Sequence, residues 1–342
     1  MKKLLPIFVS SLIALSANAV TIPETQTFTG TESYTEKLTV NAYVVYTIGT
    51  ESNKSSLTVS TSSQPLTNNG RIVITSGSKF IVESTVALAS TDWRDTTTSG
   101  KVDVYGEYQI NHTGGGNAFV GTVGTSKTVN VFSGGKLVVT GVGGGGFDVQ
   151  NGTLNLKSGS TVDISSTIIY HRGDKGTTKT IIEDNVTFSK GVSFITGQNC
   201  VSTIDLSNRT QNITFGILQL KNGSKTTLIL SEASIITKLS TAGNYVGTEE
   251  LILKDFKNDI VKLTNTSELS IVDKNYISIK GQKVKLSAFD ESDKEITLGA
   301  NDYWEITTGG YLNLIQAVPE PAEWAMILGS LALGLAIYRR RK

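Results

Sequence analysis

Residues 152–164, GTLNLKSGSTVDI, contain two short runs of alternating apolar and polar residues, separated by a Ser-Gly pair. Successive side chains of a β-strand point to opposite faces. Leu154 and Leu156 therefore share one face of the first run, and Val162 and Ile164 share one face of the second. The glycine between the runs allows a tight change of direction. The stretch predicts a strand, a turn and a second strand.

The same pattern recurs at residues 70–82 (GRIVITSGSKFIV), 127–139 (KTVNVFSGGKLVV) and 216–230 (GILQLKNGSKTTLIL). Two architectures are compatible with it. In a parallel β-helix each glycine forms a corner of the coil, whereas in a hairpin array or β-sandwich each glycine lies in a two-residue turn. The 25 residues from Gly134 to Gly159 suit a coil with about 19 to 28 residues per circuit. We predict an all-β right-handed parallel β-helix with terminal caps, and the hairpin array or sandwich is the alternative.

The segments SGGKLVV and NGTLNLKSGSTVDI resemble the repeats of autotransporter passenger domains. The resemblance covers residues 60–240 approximately and implies a right-handed β-solenoid. In such a coil, inward side chains of successive circuits stack into columns. We expect one kind of interior position to hold Ile72, Val131, Leu154 and Leu220.

The predicted organisation has five parts. They are a signal peptide (1–19), an N-terminal cap (20–66), a repetitive solenoid (67–244), a C-terminal β cap (245–316) and a sorting signal with an apolar helix (317–342).

Composition and charge restrict the function of the middle of the chain. Hydrophobic residues make up 38% of the sequence, and the formal net charge is +1. Loss of residues 1–19 removes two lysines, and loss of residues 317–342 removes two glutamates and four basic residues. The remaining body then carries a charge of about −3. A weakly acidic body disfavours binding to nucleic acid.

The N-terminus has the three parts of a secretory signal peptide. Lys2 and Lys3 precede an apolar run at residues 4–15, and Ala17 and Ala19 are the small residues that a signal peptidase reads. We predict export, with cleavage after Ala19.

The C-terminus combines a short motif, an apolar stretch and a basic end. Residues 324–338 carry no charge, and they span about 22 Å as a helix, somewhat less than a hydrocarbon core of about 30 Å. The motif is Pro319, Glu320 and Pro321, and the basic stop is Arg339, Arg340, Arg341 and Lys342. In this order the elements resemble the PEP-CTERM sorting signal.

The PEP-CTERM resemblance implies partners and a location. Proteins of this kind are thought to be recognised by an exosortase, a membrane transpeptidase that cuts near the Pro-Glu-Pro motif. It implies a Gram-negative-type envelope, export, and a link to extracellular polysaccharide and biofilm matrix. The terminal cations predict that the C-terminus stays cytoplasmic, with the helix anchored transiently or permanently in the inner membrane. Whether the tail is cleaved or retained is open, and cleavage is favoured because the apolar stretch is short and contains Gly329 and Gly334.

The body offers few residues for chemistry, and we predict no catalytic, cofactor-binding or metal-binding residue. Cys200 is the only cysteine, so it forms no internal disulfide and is expected to be a buried structural thiol. His112 and His171 lack metal-ligand spacing and are expected to lie in solvated turns.

Three carboxylates are spaced by about one circuit of the coil. Asp163, Asp184 and Asp205 lie 21 residues apart, so stacked circuits could bring them together, although solvated surface positions are the favoured interpretation. We therefore predict a non-enzymatic structural or adhesive protein of the cell surface or extracellular matrix. The alternative is a polysaccharide lyase or glycosidase that uses one face of the coil.

Overall fold

The body of the chain is a parallel β-solenoid, and strands account for 55% of the structure. The structure is a computed structural model that describes residues 19–61, 66–84, 100–112, 120–123, 127–141, 146–172, 177–242, 247–316 and 321–340. Parallel pairing between strands of successive circuits confirms the predicted solenoid and shows that the hairpin alternative was wrong. The right-handed sense of the coil stays a prediction.

The chain divides into two compact units. The first contains the described residues up to Asp148 together with 152–155 and 159–166, and the second contains the remaining described residues. The strands up to residue 164 are β1 (Val20–Ile22), β2 (Gln26–Phe28), β3 (Thr31–Tyr34), β4 (Leu38–Val40), β5 (Val45–Ile48), β6 (Ser56–Thr61), β7 (Leu66–Asn68), β8 (Arg71–Ile74), β9 (Lys79–Ser84), β10 (Lys101–Val104), β11 (Glu107–His112), β12 (Val120–Val123), β13 (Thr128–Val131), β14 (Lys136–Gly141), β15 (Phe147–Gln150), β16 (Thr153–Leu156) and β17 (Thr161–Ile164).

The later elements lie in the second unit. They are β18 (Ile168–Arg172), β19 (Thr177–Ile182), β20 (Thr187–Phe188), β21 (Ser193–Thr196), β22 (Val201–Asp205), β23 (Ile213–Lys221), β24 (Lys225–Ile229), β25 (Ile235–Ala242), β26 (Glu250–Lys254), β27 (Val261–Leu263), a 3₁₀ turn (Thr266–Glu268), β28 (Leu269–Asp273), β29 (Tyr276–Ile279), β30 (Gln282–Ala288), β31 (Tyr303–Ile306), β32 (Leu312–Ile315) and the helix α1 (Pro321–Arg340).

Each wall of the first unit is a stack of parallel strands, one from each circuit of the coil, and we call one circuit a rung. One wall follows the order β1-β4-β7, a second contains β2-β5-β8-β10-β13, and a third contains β3-β6-β9-β11-β14-β17. The segment 20–66, predicted as an N-terminal cap, forms strands that pair with one another and, through β5 and β6, with the rung that follows. A separate terminal cap stays a prediction.

Glycines of the repeated stretches form corners between walls. Gly77, Gly134, Gly159 and Gly223 have φ values of +74°, +75°, +77° and +64°. L-residues with a Cβ atom rarely adopt this left-handed conformation, so glycine is favoured there. Each glycine joins two strands of the same rung in different walls, which confirms the predicted corner.

The interior of the first unit consists of apolar columns. Ile72 pairs with Val102, which pairs with Val129, while Val131 belongs to the neighbouring column of Val104. The expectation that Ile72, Val131, Leu154 and Leu220 occupy one kind of position is therefore wrong, although all four are fully buried. Leu220 lies in a different wall, where it pairs with Thr196.

The second unit continues with parallel strands and ends in antiparallel ones. One wall follows β19-β22-β24-β26-β30-β29-β28, and another follows β18-β21-β23-β25-β27. The last two pairings of the first wall, β30 with β29 and β29 with β28, are antiparallel. The hairpin of β31 and β32 is held by two hydrogen bonds between Asn258 and the backbone of Leu314. The predicted C-terminal β segment thus contains both parallel strands and hairpins.

Candidate functional site

The C-terminal tail contains the only helix in the described part of the chain. Helix α1 begins at Pro321, a favoured first helical residue because its missing N–H has no helical partner. The predicted apolar helix began three residues later, near Trp324. Every α1 residue whose side chain is described is exposed, including Met326 and Leu328. Exposed apolar side chains such as Met326 and Leu328 are unusual in a helix, because burial of such side chains normally stabilises it.

Parts of the predicted sorting signal lie outside the described residues. These are Pro319, Glu320, Arg341 and Lys342, whereas Arg339 and Arg340 form the last two residues of α1. Among the described helices, none combines the length and apolar character that crossing a membrane requires.

The predicted signal-peptide cleavage site lies directly before the solenoid. Ala17 is outside the described residues, and Ala19 is exposed. Val20 is the first residue of β1 and pairs with Leu38 of the next rung. Cleavage after Ala19 would therefore leave the first strand complete.

The three evenly spaced carboxylates do not form a site. Asp163 pairs with Val138 in one wall, and Asp205 pairs with Ile181 and Ile229 in another. Within the described residues, no group of three or more histidine, cysteine, aspartate or glutamate side chains is arranged to hold a metal ion. The possible acidic ladder is thus absent from the described residues.

Asp184 and Asp205 each stabilise local structure. The Asp184 carboxylate accepts hydrogen bonds from the Thr210 hydroxyl at 2.6 Å and from the Thr210 and Gln211 backbone N–H groups at 3.0 Å. These hydrogen bonds, that of the Thr210 hydroxyl above all, lower the pKa of Asp184. Burial opposes ionisation of Asp205, but bonds from Lys179 and Ser207 outweigh it and lower its pKa.

A chain of hydrogen-bonded polar side chains, with a buried carboxylate in it, crosses four rungs on the outer side of the first unit. Asp103 is fully buried, accepts hydrogen bonds from Arg71 Nε and Asn130 Nδ2 at 2.6 Å each, and pairs with Arg71 Nη2 at 2.5 Å. Asn130 Oδ1 in turn accepts a hydrogen bond from Asn155 Nδ2 at 2.6 Å. We call these four residues the Asp103 ladder. The ladder links β8, β10, β13 and β16.

Another outer wall of the first unit is connected in the same way. Lys79 Nζ lies 2.8 Å from Glu107 Oε1 in the next rung. Asn111 donates to Glu83 Oε1 at 2.8 Å and accepts from the Thr140 hydroxyl at 2.5 Å, so it joins the rungs on both sides. These side chains bond to one another across rungs.

The second unit has a corresponding ladder centred on Glu250. Its carboxylate lies 2.9 Å from Lys285 Nζ and 3.3 Å from Lys225 Nζ, one on each neighbouring strand. Burial raises the pKa of Glu250, but the bonds and charges of the two lysines outweigh burial and lower it. The three partners are 25 and 35 residues apart in sequence, so only the strand register brings them together.

His171 is buried inside the second unit, and the expectation of a solvated turn was wrong. It lies in β18, is 1% exposed, and stacks in register on Thr196. Its Nε2 lies 2.7 Å from the Thr180 hydroxyl, and its Nδ1 is hydrogen-bonded to the Ser202 hydroxyl. We call His171, Thr180 and Ser202 the histidine cluster. Burial lowers the pKa of His171 to about 3.

Strand alternation carried the signal for this burial. Ile169 is fully buried, and His171 two residues later faces the same side. The other histidine, His112, ends β11, and its side chain is outside the described residues. Cys200 is buried, as predicted, with its sulfur 3.9 Å from the Thr178 hydroxyl. Although Ser202 and His171 are bonded, both are buried, so no substrate can reach them in this state.

The fold and these ladders define the class of protein as a parallel β-solenoid. No protein-family model, curated protein or solved structure matches the chain.

Proposed function

We propose that this protein is an exported structural or adhesive element of a bacterial cell surface or extracellular matrix. The body would be a stiff solenoid, delivered by an N-terminal signal peptide and sorted by its C-terminal tail. The observation that carries the proposal is the use of charged and amide side chains to link consecutive rungs. In the Asp103 ladder and around Glu250, these groups bond to one another.

Ladders of this kind favour mechanical rather than catalytic roles. A catalytic site needs titratable groups that converge on a space open to substrate. Here the Asp103 carboxylate is fully buried between Arg71 and Asn130, and its hydrogen bonds to both fix neighbouring strands relative to one another. The β-solenoid fold itself fits either a structural surface protein or a polysaccharide-active β-helix. The rung-to-rung bonding favours the structural interpretation.

The proposal for the tail rests on its sequence and on the exposure of α1. Pro319 and Pro321 restrict the backbone around Glu320 to extended conformations that suit a transpeptidase cleft. The exposed apolar side chains of α1 need an apolar environment or removal from the mature protein. We propose that an exosortase recognises this tail and cuts near the Pro-Glu-Pro motif, and that extracellular polysaccharide is the surrounding partner.

Intact-mass measurement combined with surface accessibility tests this function. The full chain is expressed in a host that carries an exosortase, and cells are treated with a protease that does not cross the envelope. Wild-type protein is expected to be accessible to the protease and retained in the washed matrix. Its mass is expected to lack residues 1–19 and the tail beyond the Pro-Glu-Pro motif. The double variant Pro319→Ala/Pro321→Ala is expected to keep its tail.

Pro23→Ala is the matched control, because Pro23 is an exposed proline between β1 and β2. It is expected to behave as wild type. A wild-type mass that includes everything from Met1 to Lys342, in protein that remains inside the cell, would refute the proposed export and sorting.

A further inference from the structure

The first rung of the solenoid has open strand edges. Strands β1, β2 and β3 each stand at the end of their sheet, and in the described part of the chain each pairs only with a strand of the second rung. We call these three strands the N-terminal edge. Unpaired edge strands present free N–H and C=O groups that can pair with another chain.

A single charge stands at the top of one apolar column of the first unit. The inward position of Glu32 is occupied in successive rungs below it by Leu57, Phe80, Tyr108, Leu137 and Val162. Those five side chains are buried, whereas Glu32 is exposed. Glu32 is therefore a carboxylate in a position that the coil otherwise fills with apolar side chains.

One tyrosine is bonded to the Glu32 carboxylate, and a second tyrosine is bonded to the first. Side-chain hydrogen bonds connect Glu32 to Tyr34 and Tyr34 to Tyr46, which is buried in the second rung. Burial and, to a smaller extent, the neighbouring Glu32 charge raise the pKa of Tyr34 to about 12, so the tyrosine stays a neutral donor. The carboxylate thus has a neutral hydrogen-bond donor beside it at the open edge.

The last rungs of the second unit end differently. There the wall ends in the antiparallel strands β28, β29 and β30. The β31–β32 hairpin is bonded to Asp259, whose backbone N–H donates to Asn313 Oδ1 and whose Oδ1 accepts from Asn313 Nδ2, each at 2.9 Å. In such hairpins the N–H and C=O groups at a strand edge pair with a neighbouring strand of the same chain. The N-terminal edge has no such hairpin among the described residues.

We infer that the N-terminal edge is a latent interface for a second copy of this chain and that Glu32 keeps it unoccupied. Two identical edges are self-complementary about a two-fold axis, so their strands could pair. Adjacent strands lie about 4.8 Å apart, and stacking would enclose both Glu32 carboxylates between two apolar layers. Enclosing two like charges without cations is strongly unfavourable. Inward-pointing charges are a known means of protecting sheet edges.

The inference rests on the proposed removal of residues 1–19, which would leave β1 at the N-terminus. The mass of the purified protein reports that removal, and self-association reports the role of Glu32, so the two can fail separately.

Sedimentation velocity of the processed protein in one detergent buffer, over a hundred-fold range of concentration, tests the inference. Wild type is expected to stay monomeric. Glu32→Leu, which continues the column of Leu57, and Glu32→Gln, which keeps the size of the side chain, are expected to dimerise at least tenfold more tightly. Glu51→Leu is the matched control, since Glu51 is an exposed glutamate outside the N-terminal edge, and it is expected to match wild type.

A cysteine at the edge locates the contact. Thr31 is exposed in β3, and Thr31→Cys in the Glu32→Leu background is expected to form an intermolecular disulfide, whereas Thr31→Cys alone is not. Unchanged sedimentation of both Glu32 variants, with unfolding midpoints close to wild type, would overturn the inference. Dimerisation equal to that of Glu51→Leu, or dimers without the disulfide, would overturn it as well.

Discussion

Lowering the pH from 7.5 to 5.0 is expected to destabilise the solenoid by about 2 kcal/mol through His171 alone. The folded protein holds this imidazole neutral, because it is buried and both ring nitrogens bond to hydroxyl groups. Its pKa falls from the ordinary 6.5 to about 3. The unfolded chain therefore binds a proton at a higher pH than the folded chain does.

The sign and size of the effect follow from this difference. A lowered histidine pKa gives a stability contribution that is complete above pH 6.5 and is lost as the pH falls towards 3. Each pH unit within that window costs about 1.4 kcal/mol, so 1.5 units below 6.5 cost about 2 kcal/mol. Carboxylates with lowered pKa values do not contribute to the difference between pH 7.5 and pH 5.0, because their stabilising effect is lost only below their ordinary pKa of about 4. They are Glu183, Asp184, Asp205, Glu250 and Glu268.

Urea unfolding at pH 7.5 and pH 5.0 measures the difference. His171→Gln removes the titrating group. Its free energy of unfolding is therefore expected to lack the loss of about 2 kcal/mol between pH 7.5 and pH 5.0, even if the variant is less stable at both pH values. His112→Gln removes the other histidine of the chain and is expected to retain the loss of about 2 kcal/mol. Equal pH dependence of wild type and His171→Gln would refute the reasoning. A wild-type His171 ring proton that titrates near pH 6.5 in NMR spectra would also refute it.

Three further predictions concern packing and processing. Leu156→Asp places a carboxylate in the interior and is expected to cost several kcal/mol, whereas Thr153→Asp on the outer side of the same strand is expected to be benign; equal melting temperatures would contradict the assigned faces. Gly106→Ala would place a Cβ 2.2 Å from the Ser78 carbonyl oxygen. Gly134→Ala would meet no atom within 4 Å and costs about 1–2 kcal/mol for its positive φ, so Gly106→Ala is expected to be the more destabilising variant. The reverse order of the two variants in urea unfolding would contradict this expectation. Exported protein is expected to begin at Val20, and N-terminal sequencing that finds Met1 would exclude this cleavage.

The sequence was least informative about charged residues in the strands. In the segment KVDV, Asp103 lies between two valines that alternation places inside, so the sequence predicts an outward, solvated carboxylate. The side chain does point outward, yet it is fully buried beneath Arg71 and Asn130. Alternation assigns the face correctly, but it does not tell which side chains of neighbouring rungs cover that face.

Local pattern alone determined the strands of the repeated stretches, their inward faces and the turns at their glycines, because alternation and left-handed φ values depend only on neighbouring residues, but it left coil corners and hairpin turns as alternatives. Gly159 and Leu156 were assigned in this way. The tertiary structure decided the register, since rungs differ in length: Gln26 pairs with Tyr46, 20 residues on, whereas Arg71 pairs with Lys101, 30 residues on. The partner of a residue in the next rung therefore cannot be found by adding a constant number of residues to its position. Only the fit of apolar columns and backbone hydrogen bonds places Glu32, Asp103 and His171 beside the residues that give each its role.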